Sequence, residues 1–116
     1  MKLSIIVPIY NEEDTLRKIF NKIQEAKLPI EKEIILVDDF STDKTRKILE
    51  FIKFQNVRRV YHSENKGKGE SIRTGIRKST GDIILIQDAD LEYSPKDYTR
   101  LIYPILNKKT KVVYGS

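Results

Sequence analysis

At 116 residues the chain has room for one domain around one core and none for a second lobe. With 39% apolar and 34% charged residues it reads as a folded globular chain rather than a disordered one, and the absence of cysteine excludes disulfides and thiolate metal sites. Lys and Arg outnumber Asp and Glu by 22 to 17, a formal charge of +5 that suits anionic ligands; no basic stripe interleaved with aromatics points to nucleic acid, and no run approaches the roughly 18 apolar residues needed to span a bilayer, so a cytoplasmic domain is expected.

Ser4-Ile5-Ile6-Val7 is the first expected strand, closed by Pro8. Asn11 then offers a helix N-cap with Glu12, Glu13 and Asp14 in the first turn, followed by Leu16, Ile19, Phe20 and Ile23 at helical spacing until Leu28-Pro29. Glu33 to Val37 is a second buried strand ending at Asp38-Asp39, after which Ser41 or Thr42 can cap a helix carrying Ile48, Leu49 and Ile52. A third strand is expected over Val57 to Tyr61. Asn65-Lys66-Gly67-Lys68-Gly69 reads as a loop, with a helix behind it placed by Ile72 and Ile76 and stopping near Gly81. Ile83 to Ile86 is the clearest strand and runs into Gln87-Asp88-Ala89-Asp90. Ser94-Pro95 opens a further helix with Leu101, Ile102 and Ile105 on its apolar side, and Val112-Val113-Tyr114 is the last strand.

Strands that are apolar throughout imply a sheet covered on both faces, and their alternation with helices implies parallel strands joined by right-handed crossovers. The expected fold is therefore a doubly wound α/β domain over residues 1–116 with a mostly parallel sheet. Ligands of such sheets sit beyond the carboxyl ends of the strands, near the switch in strand order. Tyr10 and Glu12, Asp38 and Asp39, and Asp88 and Asp90 each fall just past a strand end, so three sets of polar groups converge on one rim.

In an extended segment, residues two apart project to the same side, so Asp88 and Asp90 can face one cation, and oxygen ligands suit Mg2+ or Mn2+. The plain alternative is a solvated turn, and Glu92, next in the same alternation, is either a further ligand or surface charge. Asp39 can accept a hydrogen bond from a base or a ribose hydroxyl, or it can serve a capping turn together with Ser41 and Asp43. The glycines of Asn65 to Gly69 permit a phosphate cradle, though no Walker A sequence is present and a surface turn explains them equally. Tyr10 is placed to stack on a base. His62, the only histidine, has no Ser or Asp pattern suggesting a triad and reads as structural.

Taken together, Ile6-Val7-Pro8-Ile9-Tyr10-Asn11-Glu12-Glu13, Val37-Asp38-Asp39-Phe40-Ser41-Thr42-Asp43, Asn65 to Gly69, Gly81-Asp82 and Gln87-Asp88-Ala89-Asp90-Leu91-Glu92-Tyr93-Ser94-Pro95 resemble the family 2 glycosyltransferases of the GT-A fold, in particular the polyprenyl-phosphate type that includes dolichyl-phosphate mannose and glucose synthases. The resemblance implies that Pro8, Tyr10, Glu12, Val37 and Asp39 surround the nucleoside of a GDP- or UDP-sugar, that Asp88, Ala89 and Asp90 hold the ribose and the metal-bound diphosphate, and that Glu92 adds a metal contact. It further implies a lipid-phosphate acceptor, reached from the cytosolic membrane face, and an acceptor-binding half beyond Gly115-Ser116, where this chain reads as cut. Phe40 departs from the small residue usual there. A receiver-like α/β module and a nucleotidyltransferase remain as competing readings.

Overall fold

The computed structural model describes residues 1–89 and the backbone of 112–115. Its elements alternate as expected: β1 Lys2–Ile9, α1 Leu16–Glu25, β2 Glu31–Asp38, α2 Thr45–Glu50, β3 Val57–Tyr61, α3 Lys68–Lys78, β4 Ile83–Gln87 and β5 Val112–Gly115. The strands form one sheet in the order β3-β2-β1-β4-β5, and each neighbouring pair is parallel. The chain thus winds outward from β1 through β2 to β3, then crosses back to place β4 on the other side of β1. The gap between the carboxyl ends of β1 and β4 is the switch point. The helix expected after Pro95 lies outside the described residues.

Alternation along the central strand divides the core in two. Leu3, Ile5, Val7 and Ile9 face α1 and α2 with Leu16, Ile19, Phe20, Ile23 and Leu49, while Ile6, Ile35, Val37 and Ile86 form a smaller cluster on the face that carries Ile72 of α3. β1 continues through Pro8, which pairs with Val37 of β2. Its ladder with β4 ends at Ile6, so the proline lies where one flank of the strand is open and a missing N–H is tolerated.

Two helix boundaries differ from the sequence pattern. Asn11 adopts a left-handed conformation, φ 50°, and α1 begins only at Leu16, so Glu12, Glu13 and Asp14 precede the helix rather than fill its first turn. Tertiary hydrogen bonds account for this. The Asn11 amide donates to Ser41 Oγ (2.9 Å), the Glu12 amide donates to Thr45 Oγ1 (2.9 Å), and Asn11 Oδ1 accepts from the Thr42 amide (2.8 Å). Ser41 and Thr42, expected as helix caps, instead fasten the loop after β1 to the loop after β2. Asp43 does cap, accepting from the Thr45 amide at 2.9 Å. At the other end of α1 the last carbonyls are satisfied without glycine: Lys32 Nζ donates to the carbonyls of Ile23, Gln24 and Ala26 at 2.6–2.7 Å.

α3 also packs differently from the pattern. Its buried residues are Ser71, Thr74 and Gly75, while Ile76 is 37% exposed. Small residues let the helix lie close on β1; a methyl group at Gly75 would run into the Ile6 side chain. Among the described residues no helix is long and apolar enough to cross a membrane.

Candidate functional site

A cavity of about 360 Å3 opens at the switch point. Pro8, Tyr10 and Glu12 reach it from the end of β1, Asp39 from the end of β2, and Asp88 and Ala89 from the end of β4. Six of the residues singled out in the sequence are therefore brought to one place. Val37 is not among the residues that line the cavity: it is fully buried in the smaller core cluster, beside Pro8 on the neighbouring strand. Asp90 and Glu92 lie outside the described residues.

Asp39 is 3% exposed and organises the loop before α3. Its Oδ1 accepts from the Lys66 amide (2.8 Å) and faces His62 Nδ1 (2.8 Å), and its Oδ2 accepts from the Gly67 amide (2.8 Å). Burial alone would raise the pKa of this carboxyl, but the hydrogen bonds from His62, Lys66 and Gly67 outweigh it and hold the pKa below the ordinary carboxylate value. Three of roughly four acceptor positions are used, which leaves one for a ligand. The turn at Gly67, φ 94°, is what aims these two amides at the carboxylate, and a side chain there would be strained.

His62 is buried in the structural role expected of it, bridging Asp39 and, through Nε2 at 2.8 Å, Thr74 Oγ1 of α3. Arg77 Nη2 donates to the same Thr74 oxygen. His62 thereby joins Asp39 at the end of β2 to Thr74 of α3. Asp38 is fully buried and engaged elsewhere, with Ser41 and with Arg46 Nε at 2.7 Å. The Arg46 guanidinium lies between the rings of Phe40 and Tyr61, 5.2 and 5.3 Å from their centroids.

At the β4 end, Asp88 Oδ1 is 2.6 Å from Lys68 Nζ, the first residue of α3. The adjacent backbone is pinned: Thr15 Oγ1 donates to the Ala89 carbonyl (2.7 Å), with Glu12 Oε2 also within 3.1 Å, and Gln87 Nε2 donates to the Asp88 carbonyl (3.0 Å). The sequence does not single out Thr15, and it offers Lys68 only as part of the Asn65 to Gly69 stretch weighed as a phosphate cradle. A threonine opening an amphipathic helix carries no signal, and a lysine in a glycine loop is recognisable only once the loop is seen to fold over β4.

The residues present fit a divalent cation. Asp88 is a nearly buried carboxylate that already draws a positive group into the cavity, and an oxygen-only donor set suits Mg2+ or Mn2+. Among the described residues no three acidic or imidazole groups converge. The strand order separates this fold from receiver modules, in which the order is 2-1-3-4-5.

Comparison with known proteins agrees with the fold. A dolichol-phosphate mannosyltransferase of Pyrococcus furiosus is 34% identical over 108 residues, an alignment covering 92% of this chain and 31% of that protein. TarS of S. aureus, residues 1–349 solved with UDP-GlcNAc, superposes with a TM-score of 0.79 at 28% identity, over 92% of this chain and 31% of that one. The mannosyltransferase PcManGT of Pyrobaculum calidifontis, solved with GDP-Man and Mn2+, gives 0.69 at 30% identity, over 82% and 29%. This chain thus spans about a third of the length of each of these relatives. Residues 4–116 match the family described as Glycosyl transferase family 2, and the chain belongs to that family.

Proposed function

We propose that the switch-point cavity binds the nucleoside diphosphate of a GDP- or UDP-sugar together with Mg2+ or Mn2+, as the donor half of a transferase whose acceptor is a polyprenyl phosphate such as dolichyl phosphate. The observation that carries this reading is the convergence of Pro8, Tyr10 and Glu12, of Asp39, and of Asp88 and Ala89 on one cavity from three strand ends. The dolichol-phosphate enzyme and the GDP-Man and Mn2+ complex among the relatives support the choice of ligands.

Tyr10, 46% exposed at the rim, offers a ring to the base, and the remaining acceptor site of Asp39 takes a hydrogen from base or ribose. Asp88, with Asp90 and Glu92, holds the cation. When bound, that ion offsets the negative charge growing on the departing diphosphate. The protein contributes pre-set positions: Thr15 and Gln87 fix the backbone at Asp88 and Ala89, so its carboxylate is oriented before ligand arrives. In the transfer, an oxygen of the acceptor forms the new bond to the anomeric carbon as the bond to the diphosphate oxygen breaks. A phosphate acceptor is already anionic at neutral pH, so no side chain is needed as a general base. A lipid acceptor places the reaction at a membrane surface, with a cytosolic face for a cytosolic sugar nucleotide.

Calorimetric titration of GDP and UDP in the presence of Mn2+ tests the reading. Wild-type chain is expected to bind one of them, with at least a tenfold loss in Asp88→Ala and in Asp90→Ala. Equal heats from wild type and both variants would refute the metal role. The nucleotidyltransferase reading shares the cation but predicts pyrophosphate release from a nucleoside triphosphate, a separate assay.

A further inference from the structure

The three partners of the Asp39 carboxylate differ in their shelter from water. The amides of Lys66 and Gly67 come from the segment leading into α3, in which residues 63–66 are exposed. His62 is the buried partner, and its far side rests on Thr74, which is buried as well. Thr74 adjoins Gly75, where α3 lies so close on β1 that a methyl group would meet Ile6. The ring is thus held between the end of β2 and a tightly packed turn of α3. This placement makes the two carboxylate oxygens unequal. Oδ1 has two partners, the Lys66 amide and His62 Nδ1, whereas Oδ2 has the Gly67 amide alone. Each oxygen of an ionised carboxylate accepts about two hydrogen bonds, so the position left over is on Oδ2. Without His62 each oxygen would keep one amide and one vacancy, and nothing in those bonds would tell them apart.

We infer that His62 is a positioning residue of the donor site, filling Oδ1 of Asp39 and so reserving Oδ2 as the acceptor offered to the nucleoside. The inference rests on the donor-site reading given above. Asp39 lines the cavity and His62 does not, so the imidazole acts through the carboxylate. A carboxylate free to present either oxygen has to settle on one and shed the water competing for the other when ligand arrives, and that reorganisation is subtracted from the affinity. A carboxylate already fixed on its buried side is spared it. The bond from His62 is therefore worth more to binding than its distance from the ligand suggests, and it is separable from the ring's packing.

Two substitutions divide the contacts of the ring. Asparagine carries an N–H at the position of Nδ1, so His62→Asn keeps the bond to Asp39 and gives up Thr74; glutamine reaches the position of Nε2, so His62→Gln keeps Thr74 and gives up Asp39. The affinity of the 116-residue chain for GDP and UDP in saturating Mn2+ is measured by calorimetry at a temperature where wild type and variants are folded. It is expected to fall about tenfold or more in His62→Gln and by no more than about threefold in His62→Asn. Wild-type affinity in His62→Gln, or equal losses in the two variants, overturns the inference, since a packing role would not separate them. The wild type supplies a reading that needs no variant to fold. His62 is the only histidine, so the nitrogen-15 spectrum of histidine-labelled chain reports on it alone. With nucleotide and Mg2+ bound, Nδ1 is expected to carry a slowly exchanging hydrogen; an Nδ1 without one overturns the inference too. Failure of the donor site itself is distinct: wild type would then show no metal-dependent nucleotide binding that Asp88→Ala abolishes.

Discussion

Phe40 shows how one residue can break a local rule and be supported by its neighbours. Its φ of 64° lies in the left-handed region, where a side chain costs roughly 1–2 kcal/mol relative to glycine. Against this stands the contact with the Arg46 guanidinium, worth on the order of 0.5–1 kcal/mol at a site of this exposure. The two effects nearly cancel. Phe40→Gly relieves the strain and loses the stack, so chemical denaturation should show a change within about 1 kcal/mol of wild type. Phe40→Ala loses the stack and keeps the strain, and is expected to be the less stable variant of the two; the opposite order would mean the ring contributes nothing. The sequence marked Phe40 as a departure from the family pattern. It gave no hint that Arg46 and Tyr61, six and twenty-one positions further on, complete the arrangement.

Strands were readable because burial on both faces leaves an apolar run that helices rarely share: Val57–Tyr61 and Ile83–Gln87 begin where the pattern put them. Helix starts were less so. The start of α1 depends on Ser41, Thr42 and Thr45, thirty residues away, whose hydroxyls and amide hold Asn11 and Glu12 out of the helix. The buried side of α3 carried little signal for a different reason. Periodicity weights Ile72 and Ile76, but the sheet is approached through Ser71, Thr74 and Gly75, and small residues make no hydrophobic signal. The rim of the site was recognisable from acids past strand ends, while the hydrogen bonds that aim them, from Thr15, Lys66 and Gly67, were not. Closeness at Gly75 is testable. Gly75→Ala forces the Ile6 side chain or the helix to shift, with an expected cost of about 1–3 kcal/mol. Ile6→Ala vacates the space, so the double variant should be more stable than the sum of the two single losses; simple additivity would show that the contact is not what limits the approach of α3.

At the scale of the whole molecule the two ends of the sheet are built for different purposes. The carboxyl end gathers acids around a cavity, whereas at the amino end a buried acid, Glu33, is tied to its neighbours by hydrogen bonds to one carboxylate oxygen. Glu33, 6% exposed, accepts from the Ser4 hydroxyl (2.5 Å), the Thr80 amide (2.6 Å) and the Thr80 hydroxyl (2.9 Å), and Ser4 Oγ accepts in turn from the Gly81 amide (2.8 Å). Gly81 has no room for a side chain, since a methyl group there would meet the Lys2 carbonyl and the Ser4 amide. One carboxylate thereby ties β1, β2 and the turn before β4. Burial alone would raise its pKa, but the bonds from Ser4 and Thr80, with the charge of Lys2, bring it below the ordinary value. A carboxyl whose folded-state pKa is depressed contributes stability above its unfolded pKa, about 4.3 for Glu, and that contribution is lost as pH falls through the folded value. Glu33→Gln should therefore lower the melting temperature at pH 7, by roughly 5 °C or more for a loss of about 1–2 kcal/mol, and should flatten its decline between pH 5 and pH 3. Six residues of extended strand, roughly 20 Å, separate Glu33 from Asp39, well beyond the range over which exposed charges or packing shifts couple. Nucleotide affinity in the presence of Mn2+ is accordingly expected to stay within about twofold of wild type in Glu33→Gln at a temperature where both are folded. A variant that loses stability and ligand together would mean that the sheet transmits strain from one end to the other, and that the division between a stabilising end and a binding end does not hold.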